Sequence, residues 1–365
     1  MKPSPAVEAP PARTEEHEPR GVCVAILPTE KPARIVGDSP GDFMERLTNS
    51  TLAWVNFAVD DLQRDAPHVA TLLGFSPSLV DALLESQYSN YRDRESEFGI
   101  RLPVVKIHGQ EFEGAPLLIL VRWGLVLSLH ERGKVNRMVR LSRYADVFMR
   151  KIPSDRAMPD KLTILLTRLL NENNERNFDS LRYIQEQGDL ISADLLAADH
   201  PREEVGKQVY GVKHLLVAYL DALWSTLDVI QSLRYGDAEL VSDDETLLAR
   251  VGILGDDLTR QIQLAEHTTE VLVSGLEVLQ SVYNNQLQQL NNRLAMVVAW
   301  LTILGTVILV PNTIATLFGP VTTYHGQGLV AYVAGTLGLT LLATLASWTY
   351  VRRQGLIPDA KERRR

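Results

Sequence analysis

Two uncharged stretches, residues 294–318 and 328–351, stand almost end to end near the C-terminus without one Asp, Glu, Lys or Arg. At about 1.5 Å of rise per residue, a helix of either length crosses a hydrocarbon core of roughly 30 Å. No soluble fold needs two such segments in tandem. The sequence therefore predicts a membrane hairpin, with a connector at 319–327 whose one titratable group of consequence is His325.

Charge sets the orientation of the hairpin. Arg293 precedes the first span, Arg352 and Arg353 follow the second, and Lys361 and Arg363, Arg364 and Arg365 come after them. The connector has no Lys or Arg. Positive residues stay on the cytoplasmic side, so both termini are expected in the cytoplasm of a multi-pass protein of the cell membrane, embedded in the lipid bilayer. The terminal arginines read as a topology and headgroup anchor.

The first span carries a polar stripe. At 100° per residue, Asn291, Ala295, Thr302, Thr306, Thr313 and Thr316 fall on one side, with Gly305 and Asn312 at its border. Pro311 is expected to interrupt the helix beside Asn312. Polar groups at membrane depth face protein or a wet cavity. The stripe is thus either the lining of an ion path or a seam for helix packing. A single helix cannot enclose a path, so the first reading requires an oligomer.

The chain has 365 residues, 45% hydrophobic and 22% charged, with a net charge of −8. An acidic balance argues against nucleic acid as a partner and suits a protein that handles cations. The lone cysteine, Cys23, excludes an internal disulfide and a Cys-rich metal site. It reads as a small buried hydrophobe on a strand. The eight histidines are scattered, and no phosphate loop, HExxH or paired metal spacing occurs, so no enzyme is expected. The N-terminus has no basic n-region followed by an apolar run, so no cleaved signal peptide is expected.

Along the chain, residues 1–20, rich in Pro and Glu, read as a disordered tail. Strands are expected at 22–27, 51–59, 98–107, 117–121 and 125–130, with a tight turn at Arg122-Trp123-Gly124. Asp60 and Asp61 precede a helix ended by Gly74, and Ser76 with Pro77 starts another. The charged stretch 88–97 reads as loop. Beyond Met138 the pattern turns helical: 159–198, then 203–233, separated by Asp199-His200-Pro201. A third helix starts near Ser242, or after Gly255 with Asp256 as its cap. Its apolar residues Leu258, Ile262, Ala265, Leu272, Leu276, Leu279, Tyr283 and Leu290 step by threes and fours, and it can run unbroken into the membrane. The fold class is α+β: a mixed sheet with flanking helices, then long stalk helices and two C-terminal transmembrane helices. The expected domains are the tail at 1–20, a cytosolic α/β domain at 21–150 and a helical bundle and stalk at 151–290. The spans at 291–318 and 328–351 flank the 319–327 loop, and a basic tail occupies 352–365.

This order of parts resembles the CorA family of magnesium transporters. Residues 74–83, GFSPSLVDAL, resemble that family's Leu-Gly-x-His-Pro-Leu-x-Leu-Glu-Asp segment, with Ser76 for the His and Val80 for the Glu. Leu127-Ser128-Leu129-His130-Glu131 is similar to its last strand, and Asn292-Arg293-Leu294 to the start of its first membrane helix. Residues 310–319, VPNTIATLFG, are similar to its proline-containing lead into the pore mouth. The family's Gly-Met-Asn signature is replaced by Gly319-Pro320-Val321, and the Asn usual in the first turn of the span by Ala295. The resemblance implies a homopentamer passing a divalent cation, Mg²⁺ or Co²⁺, Ni²⁺ or Zn²⁺, along the first span. It also implies a regulatory divalent ion between subunits, with Asp81 as one ligand and Asp256 or Asp257 as the other. A membrane-tethered sensor that keeps the fold without conducting is the alternative.

Overall fold

The computed structural model describes residues 19–28, 31–86, 90–109, 111–196, 202–236, 238–318 and 327–353. Residues 1–18 of the N-terminal tail, the 199–201 turn, Gly319-Pro320-Val321, His325 and Arg363 to Arg365 lie outside the described residues. The chain divides into two compact units, Met1–Gly275 and Leu276–Arg365.

In the first unit, seven strands form one sheet: β1 (Gly21–Ile26), β2 (Ala33–Gly37), β3 (Leu52–Val59), β4 (Tyr91–Arg94), β5 (Glu97–His108), β6 (Glu111–Arg122) and β7 (Leu125–Glu131). The spatial order is β2-β1-β3-β7-β6-β5-β4. β3 and β7 run parallel, pairing Val55 with Leu127, and the other pairs are antiparallel. The mixed sheet is as expected.

Central strand β3 is buried at every residue, LAWVNFAV. A strand covered on both faces loses the apolar–polar alternation of a half-exposed one. Its alternate residues nevertheless have different neighbours. Ala53, Val55, Phe57 and Val59 join Leu127 and Leu129 in a core shared with α2 (Leu62–Leu72) and α3 (Pro77–Glu85). On the opposite face, Trp54 meets Phe148, ring centroids 5.9 Å apart. That face is covered by α4 (Asn136–Arg143), α5 (Ala145–Met149), α6 (Met158–Leu196) and α7 (Arg202–Tyr235). A short 3₁₀ turn, Pro40–Phe43, and α1 (Met44–Asn49) connect β2 to β3.

Asp61 caps α2 as its position predicts, accepting from the Gln63 and Arg64 amides at 2.9 and 3.1 Å. Gly74 follows at φ +81°, the left-handed conformation that ends helices and that glycine adopts without strain. Ser76 occupies the N-cap position of α3, but its side chain makes no capping bond. The buried Glu97 carboxylate, from β5, accepts from the Ser76 amide at 3.1 Å instead.

Three expectations are corrected. Part of the 88–97 stretch is strand β4, the edge of the sheet, paired with β5 from Tyr91↔Ile100 to Arg94↔Glu97. Its YRDR sequence looks like loop because charges on an edge strand face solvent and deter pairing with another chain. Asp256 is no cap: α8 (Glu245–Phe318) begins eleven residues earlier, capped by Asp244, which accepts from the Thr246 amide at 2.8 Å. The Thr246 hydroxyl, then Arg156 at 2.6 Å, then that Thr246 amide, hold the Asp244 carboxyl well below the usual range. Finally, Pro311 lies inside α8 without ending it. A proline removes one N–H and crowds the preceding turn, and the rest of a long helix can carry that loss.

His130 is fully buried on β7, its Nδ1 3.1 Å from the Glu131 carbonyl oxygen, and burial holds its pKa below the ordinary value. The folded state thus resists a proton that the unfolded chain takes below about pH 6.5. Stability is constant above that pH and falls as pH drops toward the folded pKa, by up to ~1.4 kcal/mol per unit. Denaturant unfolding between pH 8 and 5 should show a shallower pH dependence in His130→Gln than in the parent. Equal slopes would count against this assignment.

In the second unit, α8 continues to Phe318 and α9 spans Gln327–Arg353. Both contain segments long and apolar enough to cross a membrane.

Candidate ion path

Each predicted stripe residue from Asn291 to Thr316 lies on α8, within 74 residues of unbroken helix. Gly319 falls outside the described residues. Asn291, Thr302, Asn312, Thr313 and Thr316 are exposed in the single chain, and Ala295 and Thr306 are half-buried. The buried apolar pair of this span, Ala299 and Ile303, is 5% and 7% exposed. On the helical wheel that pair lies to one side of the threonine stripe.

The threonine hydroxyls share one arrangement. Thr302 donates to the Val298 carbonyl at 2.9 Å, Thr306 to Thr302 at 2.9 Å, Thr313 to Leu309 at 2.8 Å and Thr316 to Asn312 at 2.9 Å. Each hydroxyl hydrogen is thereby committed to the preceding turn, and the lone pairs of Oγ1 remain. A row of acceptors without competing donors suits the water shell of a cation, whose hydrogens point outward.

Back-bonding alone would also satisfy a threonine in lipid, and α9 shows the same pattern at Thr336, Thr340 and Thr344, all half-buried. Asn312 is different. Its exposed carboxamide makes no hydrogen bond to the described residues. A carboxamide carries two N–H donors and an acceptor, and leaving it unpaired in hydrocarbon costs several kcal/mol, about 2–7 by transfer estimates.

The three carboxylates suggested for regulation are not brought into one cluster. Asp81 is exposed on α3, Asp256 is exposed on α8, and half-buried Asp257 lies 3.6 Å from Arg260. Among the described residues, no group of three or more His, Cys, Asp or Glu side chains is placed to hold a metal ion.

One buried polar node has no counterpart in the sequence expectations. Arg137 on α4, 6% exposed, donates through Nη1 to the Asn173 carbonyl and Oδ1 at 2.9 and 2.8 Å, and through Nη2 to the Val105 carbonyl at 2.7 Å. Nearby, the Tyr219 hydroxyl donates to the Asn177 carbonyl at 2.6 Å. Burial first, then the charge of Arg176, pushes the Arg137 pKa down to about 10. The node ties α4, α6 and β5 together. The signal that could have revealed it is the run Asn171-Glu172-Asn173-Asn174, since asparagine is a poor helix former on an exposed face.

The sequence profile of the CorA-like Mg²⁺ transporter proteins matches residues 49–353. The chain belongs to that family. No protein of curated function matches it. Among solved structures, the complete CorA magnesium transporter from Methanocaldococcus jannaschii is similar at TM-score 0.66 and 18% identity, over 92% of this chain and 98% of that one. The full-length CmaX protein is similar at 0.61 and 17%, over 93% and 99%. The ZntB cytoplasmic domain from Vibrio parahaemolyticus RIMD 2210633 is similar at 0.55 and 13%, over 73% of this chain and all of that domain. At these identities the structural likeness establishes the shared fold. Family membership makes the chain a transporter-family protein with a membrane-embedded hairpin, as its sequence implied.

Proposed function

We propose that this chain is a homo-oligomeric channel of the cell membrane for a divalent cation, with both termini in the cytoplasm. Its path is lined by Asn291, Ala295, Thr302, Thr306, Asn312, Thr313, Thr316 and Gly319 of the first span. The observation that carries the proposal is the Asn312 carboxamide, unpaired among the described residues, beside a row of acceptor oxygens in an otherwise apolar segment. A hydrated cation needs acceptors for its water hydrogens, and neutral oxygens do not trap it. The membrane potential supplies about 2.3 kcal/mol per charge per 100 mV. Val278, Val282, Leu287 and Leu290 of α8 are 42–59% exposed in the single chain. Copies of the same helix around a common axis would cover them, as the family resemblance to a pentamer suggests. At that packing, a divalent ion held between Asp81 of one copy and Asp256 or Asp257 of the next would relieve carboxylate repulsion and link the subunits.

Cysteine scanning tests the lining directly. The native Cys23 is fully buried and its thiol is pushed up to about 12 by desolvation, so it is silent toward thiol reagents. Single cysteines at Thr302, Thr306, Asn312 and Thr313 should react with a small hydrophilic methanethiosulfonate in membranes, and a cysteine at Ile303 should not. Reaction at Ile303 alone, or at none of the stripe positions, would reject the lining. Loss of the signature Asn at Gly319-Pro320-Val321 favours the non-conducting sensor, which predicts that second outcome.

A further inference from the structure

Basic side chains converge in one groove of this acidic chain. The groove, about 640 Å³, lies between α4–α5 and α6 and is lined by Arg140, Lys151, Arg168 and Arg176 around a single carboxylate, Glu172. Arg168, Glu172 and Arg176 recur every fourth residue and so share one face of α6. Their ion pairs are long, and both arginines are well exposed: Arg168–Glu172 at 3.7 Å and Arg176–Asp179 at 3.5 Å. Such pairs hold little energy. The side chains of Arg140 and Lys151 have no ion-pair or hydrogen-bond partner among the described residues. Directly behind the groove lies Arg137, whose three bonds all go to neutral oxygens. Four cations therefore line the groove around one carboxylate, with Arg137 behind them and only Asp179 pairing Arg176 from outside the lining, in a chain whose net charge is −8.

The groove also has an apolar wall. Tyr144, 69% exposed, lies at its edge beside Val147 and Phe148, and Phe148 is backed by Trp54. A planar ring can stack on such a wall, while arginine forks grip phosphate oxygens at a distance set by their planar geometry. The volume falls within the range of small-molecule sites, 300–1,000 Å³ as a rough guide.

We propose that the α4–α5/α6 groove binds a nucleoside polyphosphate, with its phosphates between Arg140, Lys151 and Arg176 and its base against Tyr144. The ligand supplies the negative charge that the groove lacks. The site does not depend on transport through α8 and is measurable without it.

The experiment is calorimetric titration of the full-length oligomer in detergent with ATP, adenosine or tripolyphosphate. EDTA is present throughout, so that no divalent-ion signal enters. Saturable ATP binding is expected, at least tenfold tighter than tripolyphosphate, with adenosine weaker still. Arg140→Gln and Arg176→Gln should each weaken ATP roughly tenfold or more, and Tyr144→Ala should reduce ATP to the level of tripolyphosphate. Elution volume and melting temperature report folding, and the exposed Lys151→Gln carries the test if Arg176→Gln unfolds. Absence of saturable ATP binding overturns the proposal. So does binding indifferent to both Arg140→Gln and Lys151→Gln, and so does tripolyphosphate binding as tightly as ATP.

Discussion

Replacing Thr302 and Thr306 together with valine is expected to lower divalent flux at least a hundredfold, with oligomeric state unchanged. Valine matches threonine in shape, so helix packing and path width are kept and only the hydroxyls are lost. Each lost acceptor is worth about 1 kcal/mol to a passing water shell, and every subunit of a ring loses two. A barrier raised by only ~2.7 kcal/mol gives a hundredfold. Thr302→Ser with Thr306→Ser keeps the oxygens and should retain most of the flux. Thr336→Val on α9, removing a hydroxyl that donates to the Tyr332 carbonyl at 2.8 Å, should change little. If the stripe serves packing alone, the valine pair will conduct like the parent, because packing is what valine preserves.

Arg137→Leu is expected to destabilise the first unit, Met1–Gly275, by about 3–5 kcal/mol, since it strips three carbonyl-type acceptors of a charged donor and leaves them buried. The acceptors are the Asn173 carbonyl and Oδ1 and the Val105 carbonyl, all at 2.7–2.9 Å. Domains are stable by roughly 5–15 kcal/mol, so the variant should unfold at much lower urea concentration or fail to accumulate. Arg137→Lys keeps the charge but offers one compact donor group in place of a planar fork, and should fall between the two. A urea midpoint for Arg137→Leu equal to the parent's would show that the node holds nothing.

The hairpin was legible because hydrocarbon imposes a simple demand, about 20 residues without charge, and residues 294–318 and 328–351 meet it without ambiguity. The long helices were legible through spacing: Leu162, Leu166, Leu169, Leu181, Ile184 and Ile191 are all buried on α6. Strand β4 was hidden because its edge position favours the charges that otherwise mark a loop. Of the two expected starts of α8, the one near Ser242 agrees with its beginning at Glu245, and the other arose because Gly255-Asp256 imitates a helix boundary. Gly255 lies inside α8 against Leu227 and Ile230, where even an added Cβ would make ordinary contacts, so nothing at this position breaks the helix. The Arg137 node was not legible at all, because an arginine's burial depends on which distant carbonyls reach it. The stripe of the first span was legible as a pattern, and the structure added what each hydroxyl donates to.

Uptake into proteoliposomes tests the central claim most directly. The purified oligomer would be reconstituted, and Mg²⁺, Co²⁺, Ni²⁺ and Zn²⁺ offered one at a time under an inside-negative potential. The account predicts flux of at least one of these ions that rises with the potential and collapses in the Thr302/Thr306 valine pair. No flux of any of the four, from protein shown to be oligomeric and inserted, would contradict it.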